Sequence, residues 1–248
     1  MKLKTLALIH TVNWYDKSVI EPFVKPWLAK NPDVRVVNIM DDSLLADSLA
    51  HRGATPAVLK RIQYYFLAAE AMGADVAMVS CTTVGEAARI AREYVSIPVF
   101  NIDEPMAREA VKLGRRLGII ATVPTSPAAT RRQLERAAQD AGVSVDIKIA
   151  LNETAFHHLQ KGEINQHNAL VKREMDRLAK DVDVLVLGQI SLAQIEHETR
   201  VPYLQVGHSG LAEARRLLDH GATSKNGNGN GKPRRQNLPT RTAARVSC

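Results

Sequence analysis

Residues 74–84 read ADVAMVSCTTV and residues 182–192 read VDVLVLGQISL. Setting Asp75 on Asp183 places Val76 on Val184, Val79 on Leu187 and Thr83 on Ser191. It also sets Cys81 against Gln189. Both segments run on through a helix-like stretch to a proline-bearing strand, SIPVF at 96–100 and RVPYL at 200–204. Upstream, LALIHT at 6–11 matches LGIIAT at 117–122. The chain therefore reads as a duplication: two halves, each running strand, loop, helix, strand, helix, strand. At one pair of equivalent positions, one half carries a thiol and the other an amide.

The strand-length apolar runs fall at 3–9, 34–39, 76–79, 98–101, 116–121, 143–149, 184–187 and 203–206. Longer periodic stretches at 56–72, 84–94, 105–113, 127–141 and 164–180 separate them and predict helices. Runs such as VLVLG are apolar throughout, as parallel strands covered on both faces require. Strict alternation of strand and helix indicates right-handed βαβ units. The predicted fold class is α/β, with two pseudo-symmetric lobes of parallel sheet flanked by helices and a cleft between them. The expected division is a first lobe over 1–101 plus about 206–220, and a second over 102–205. Gly73 and Gly142 stand where helices end, and Asp103 before Glu104-Pro105 reads as a helix N-cap.

The charge balance belongs to one segment. Of 33 Lys and Arg residues, six lie after Gly221, leaving 27 against 26 Asp and Glu. The segment ATSKNGNGNGKPRRQNLPTRTAARVSC has no acidic residue and few apolar ones, so 222–248 is expected to be a disordered basic tail. Its KPRRQ cluster is too short to read as a nucleic-acid site. No apolar run reaches the roughly 18 residues of a membrane span. MKLKTLALIH lacks the apolar stretch and cleavage site of an export signal. The two cysteines are Cys81 and Cys248. With one at the end of a polar tail, the expectation is no structural disulfide and a reducing cytoplasmic setting. HExxH, CxxC, GxGxxG and GxxxxGK[ST] patterns are all missing from the sequence, so neither a metal nor a nucleotide cofactor is expected.

Ligands of open α/β sheets sit beyond the carboxyl ends of the strands. Four such ends face one crevice in this reading: His10-Thr11-Val12-Asn13, Ser80-Cys81-Thr82-Thr83, Ala121-Thr122-Val123-Pro124-Thr125 and Gly188-Gln189-Ile190-Ser191. Cys81 would end a strand just before a helix. Free N–H groups and the positive helix end there favour an anion and lower a thiol's pKa. The same groups, with the hydroxyls of Thr82 and Thr83, could cradle a carboxylate or an enolate. The plainer reading, a small buried hydrophobe, fits badly with Ser80, Thr82 and Thr83 as neighbours.

Gln189 cannot act as acid or base near neutrality, but it can donate hydrogen bonds to a carboxylate or enediolate, or simply bond to backbone. Gly188 beside it would let backbone approach a ligand. His10 reads either as a second proton-transfer group or as a hydrogen-bonded strand-end histidine. Thr122 and Thr125 read as carboxylate contacts, with helix capping explaining Thr125 equally well. Thr11, Asn13, Ile190 and Ser191 complete the strand-end set. His208 is placed at the cleft rim, with Ser209 as a helix cap. Asp41-Asp42-Ser43 reads mainly as a capped, solvated loop.

The motifs SCTT, LGIIAT and VLVLGQIS together resemble the aspartate/glutamate/hydantoin racemase superfamily over roughly residues 3–218. The resemblance implies a cofactor-independent enzyme in which two cysteines flank the carbon next to a carboxylate, one removing a proton and the other delivering one. It also implies a small amino acid, hydantoin or dicarboxylate substrate and a homo-oligomer. Cys81 matches the first cysteine and Gln189 stands at the second. Within the superfamily this leaves racemisation or epimerisation, if His10 or water supplies the second proton route. The alternatives are a single-thiol decarboxylase or cis–trans isomerase, and, outside catalysis, a small-carboxylate binding protein.

Overall fold

The computed structural model describes residues 3–226. Eight strands form two four-stranded parallel sheets. The first holds β1 (Lys4–His10), β2 (Val34–Met40), β3 (Val76–Val79) and β4 (Val99–Asn101) in the order β2-β1-β3-β4. The second holds β5 (Arg116–Ala121), β6 (Asp146–Leu151), β7 (Val184–Leu187) and β8 (Tyr203–Gln205) in the order β6-β5-β7-β8. The two orders are the same, as a duplication requires.

The repeat extends to individual hydrogen bonds. Asp75 Oδ2 accepts from the Thr5 N–H at 2.9 Å, and Asp183 Oδ2 accepts from the Arg116 N–H at 2.8 Å. Asp41 N–H donates to His10 O at 3.1 Å, and Asn152 N–H to Ala121 O at 2.9 Å. An aspartate before the third strand of each half thus ties that strand to the start of the first, which fixes the register.

Helices follow the strands: α1 (Lys25–Lys30), α2 (Ser43–Ala50), α3 (Pro56–Ala71), α4 (Glu86–Ala91), α5 (Glu104–Leu113), α6 (Ser126–Asp140), α7 (Glu153–Gln160), α8 (Ile164–Leu178) and α9 (His208–Asn226). A wide π-helical segment, Asp16–Val24, precedes α1. Gly73 and Gly142 have φ of 76° and 66°, so each ends its helix in the left-handed region expected of it. The capping role assigned to Asp103 is not observed. Glu104 Oε1 takes the Asn101 N–H instead, and the Asp103 side chain turns inward to the Asn101 amide. The second strand of lobe two, β6, also starts later than its apolar run suggested, at Asp146, because Val143 and Val145 pack into the core from the turn after α6.

Each strand has apolar residues on both faces, for a reason visible in the packing. Leu6, Leu8, Val76 and Met78 point to one side of the first sheet, and Leu117, Ile119, Val184 and Val186 to one side of the second. These inner faces share one core with Met106, Ala110 and Val111 of α5, Leu134 and Ala137 of α6, and Leu211 and Ala214 of α9. The outer faces have separate cores. Ala7, Ile9, Ala77 and Val79 meet α2, α3 and α4, and Ile120, Leu185 and Leu187 meet α8. A strand buried on both sides has no position left for a polar residue until its end, which is why the polar residues gather there.

The last helix follows Gly207, whose φ of 100° suits only glycine and where a Cβ would lie 2.9 Å from Phe23. α9 continues to Asn226, because Ala-Thr-Ser-Lys after Gly221 contains no helix breaker. Residues 227–248 of the expected tail lie outside the described residues. Among the described residues, no helix is long and apolar enough to cross a membrane.

Candidate active site

The carboxyl ends of β1, β3, β5 and β7 converge on a small inner cavity of about 50 Å³. Its lining includes Thr11, Ser80, Cys81, Thr82, Thr83, Gln189, Ile190 and Ser191. It adjoins a larger outer cavity of about 960 Å³, sharing Val12, Trp14, Leu45, Phe156, Ile190 and Ser191. The inner space holds one or two waters, so a substrate could place only its head there, with its body in the outer cavity. Cys81 is the only titratable side chain lining the inner cavity among the described residues.

Cys81 follows β3 after Ser80, with φ −134° and ψ 120°, and opens a single 3-10 turn over Thr82–Val84. The helix expected from residue 84 is therefore delayed and short, starting at Glu86. The Thr11 hydroxyl, the Thr83 N–H and O–H, and the Val84 N–H stand around the sulfur and favour its ionised form. The sequence led to an expected lowering of its pKa. The structure reverses this: burial pushes the thiol above its usual value and outweighs those donors. A one-turn 3-10 segment supplies little dipole, while the apolar wall of Val12, Val19, Leu45 and Phe156 removes water.

The lobes touch across this site. Thr82 Oγ1 donates to the Gly188 carbonyl. Thr83 Oγ1 and Thr125 Oγ1 lie 2.9 Å apart. When Thr83 directs its proton to the sulfur, Thr125 is the donor to Thr83. Capping thus does not explain Thr125, whose side chain makes no cap bond to α6.

Gln189 is 6% exposed, and both polar atoms of its amide bond to lobe two. Oε1 accepts from the Thr122 N–H at 2.7 Å, the Val123 N–H at 3.4 Å and the Ser126 hydroxyl at 2.9 Å. Nε2 donates to Thr122 Oγ1 at 3.3 Å. Thr122 is fully buried behind this amide and does not line the cavity. The proximity assigned to Gly188 also has another cause. A Cβ there would meet Thr130 Oγ1 of α6 at 2.7 Å, so the glycine admits a helix and not a ligand.

His10 lies beneath the site, outside both cavity linings. It is fully buried and stacked on Tyr15, with centroids 4.1 Å apart. Nε2 bonds to Asn38 Oδ1 at 3.0 Å and Nδ1 to Ser80 Oγ at 2.9 Å. The tautomer that satisfies both has Nε2–H donating and Nδ1 accepting from Ser80. Burial holds its pKa down at about 4, so the ring is neutral and both nitrogens are committed. The proton-transfer role expected of His10 therefore lacks a free nitrogen. Asn13 sits on the outer cavity beside Asp42, 3.4 Å away. His208 packs edge-on against Phe23 at 5.1 Å and lines neither cavity. Asp41 accepts from Ser43 and from the Tyr65 hydroxyl, as a capped loop residue does.

The sequence reading missed the apolar wall. Trp14 lies one residue beyond the loop singled out after β1. Phe156 sits on α7, whose start is signalled by Asn152, a side-chain cap for the Ala155 N–H at 3.0 Å. Ser126, the first residue of α6, is a direct partner of Gln189. Among the described residues, no group of three His, Cys, Asp or Glu side chains is placed to hold a metal.

A sequence profile of the Asp/Glu/hydantoin racemases matches residues 28–214. The chain belongs to this family. No curated protein sequence matches it. Among solved structures it is similar to Picrophilus torridus aspartate racemase (TM-score 0.63, 14% identity, covering 88% of this chain and 94% of that one). It is also similar to allantoin racemase from Klebsiella pneumoniae (TM-score 0.61, 17% identity, 88% and 89%). A third is glutamate racemase from Francisella tularensis in complex with D-glutamate (TM-score 0.64, 15% identity, 94% and 86%). At these identities the likeness establishes a common fold, and the family match establishes a racemase-like protein.

Proposed function

We propose that this member of the racemase family is a cofactor-independent enzyme that moves a proton at the carbon next to a carboxylate, with Cys81 as the acid–base group on one face. The observation that carries the reading is the position of Cys81, alone among titratable side chains, in an inner cavity rich in hydroxyls. The Cys81 thiolate takes the proton from carbon and becomes a thiol. The electron pair of the broken C–H bond moves into the carboxylate, giving an enediolate whose oxygens accept hydrogen bonds from the hydroxyl and N–H donors of the strand ends. A water entering from the outer cavity delivers a proton to the opposite face, and the hydroxide left behind takes the thiol proton. The raised thiol pKa suits this step, since a thiolate formed in a dry site is the stronger base towards carbon.

The same solitary thiol favours a second reading, decarboxylation. There the C–C bond pair stays on carbon as carbon dioxide leaves, and Cys81 donates the single proton needed.

Incubation of the protein in heavy water with amino acids, hydantoins and malonates, followed by NMR, separates these. Deuterium at the α-carbon with inversion supports racemisation. Loss of a carboxylate with deuterium at the vacated carbon supports decarboxylation. Either must vanish in C81A. Binding of small carboxylates by both forms, with no exchange by either, would leave a binding protein and overturn catalysis.

A further inference from the structure

The Thr122 N–H, the Val123 N–H and the Ser126 hydroxyl converge on one point at the end of β5, and the atom held there is Gln189 Oε1. A neutral amide oxygen has two lone pairs, and here it faces two backbone N–H groups and a hydroxyl whose one proton it shares with the Val123 carbonyl, 3.0 Å from Ser126 Oγ. Backbone N–H groups converging in this way make a concavity suited to an anion, and donors to an ionised oxygen form about twice as strong a bond as donors to a neutral one. The arrangement is thus an oxyanion cradle filled by the protein's own side chain.

We infer that Gln189 is an internal ligand that closes this second-lobe cradle, and that it is a specificity-determining residue restricting the inner cavity to a single carboxylate with an uncharged, apolar substituent beside it. The substrate half of this inference rests on the function proposed above; the closed cradle does not. Three further observations support it. The equivalent position in lobe one is Cys81, whose surrounding donors remain directed at a reactive atom and not at a spectator amide. No Lys, Arg, Asp or Glu lines the inner cavity, so a second carboxylate or an ammonium group beside the bound head has no charged partner there; Lys17 and Asp42 stand on the outer cavity only. The remaining wall is Val12, Trp14, Val19, Leu45, Val123 and Phe156, which favours an apolar substituent.

Vacating the cradle tests the first half without any need for turnover. In Q189A the three donors lose their acceptor and face a space the size of the removed amide. Carbon-13 formate titrated by NMR should then bind saturably, at least about tenfold more tightly than to the wild type. S126A in the same background should weaken it again, and Q189E, which refills the cradle with its own carboxylate, should abolish formate binding. Formate binding equal in Q189A and wild type would overturn the closed cradle. Where Q189A does not fold, Q189S provides the same comparison.

The second half is tested on the unmodified protein. Phenylacetate-type monocarboxylates should bind at least about tenfold more tightly than succinate or aspartate of similar size. Equal or tighter binding of the diacids would overturn it. Absence of isotope exchange with every compound, alongside formate binding to Q189A, would refute the proposed activity and leave the cradle standing.

Discussion

Replacing Asp103 by Asn should stabilise the protein at pH 8 and leave it nearly unchanged at pH 4. Asp103 is fully buried, and its pKa is raised from 3.8 to about 8, first by burial and then by the neighbouring Glu104 charge. Its Oδ2 and the Asn101 Oδ1 lack hydrogen-bond partners among the described residues, and both are acceptors when the acid is ionised. A proton on Asp103 converts one of them to a donor. Below about pH 4 the carboxyl is neutral in both the folded and unfolded chain, so it costs nothing. As pH rises from about 4 to about 8 the unfolded chain ionises while the fold keeps the proton, so stability falls across that window and levels off above it. Four pKa units at 1.36 kcal/mol each set a ceiling on the order of 5 kcal/mol. Asn is nearly isosteric with the protonated acid and does not titrate. Urea unfolding of wild type and D103N, followed by tryptophan fluorescence between pH 4 and pH 9, should give midpoints that diverge with pH. A difference that stays flat, or a variant less stable than wild type at pH 8, would refute the reasoning.

C81S should retain the fold, with a melting temperature within a few degrees of wild type, and lose isotope exchange by at least about a hundredfold, since a hydroxyl is a far poorer acid–base group. Exchange in the wild type should rise with pH and level off only above the usual cysteine range, because the thiol pKa is raised; a plateau already reached at pH 7 would contradict the desolvation of this half-buried thiol. His10 gives the opposite acid-side signature. Its pKa is lowered from 6.5 to about 4, so stability should fall by up to about 3 kcal/mol as pH drops through that window and the unfolded chain takes up a proton; H10N should flatten that fall in urea titrations. G188A should cost about 1–3 kcal/mol through its contact with Thr130, and T130A should restore most of the loss in the double variant; additive losses would show that the contact is not the cause.

The duplication was legible because parallel strands buried on both faces leave an unmistakable pattern, as in VAMV and VLVL. Strand ends were therefore placed well, and Cys81, Thr82, Thr83, Gln189, Ile190 and Ser191 do gather at one cavity. Direction was harder to read than position. Nothing in GQIS tells whether the glutamine faces a ligand or folds back on Thr122, because that depends on donors 67 residues away. Likewise the sign of the Cys81 shift follows from how much water the walls exclude, and those walls come from α2, α7 and the π-helical segment, none of which carried an expected element. Leu45 and Phe156 lie on helices of only eight residues each, too short to show a sustained apolar period, and Pro22 within the π-helical segment masks it from any helical pattern.

The single core that joins the inner faces of both sheets has a consequence for origins. A solitary half would show that oily face to water, and it would persist only by pairing with its twin. In such a symmetric couple any side chain at the crevice must occur on both banks at once. Joining two copies end to end released the second bank from mirroring the first. Two unlinked identical halves could not hold sulfur on one side and an amide on the other, so this lopsided crevice requires both halves in one chain.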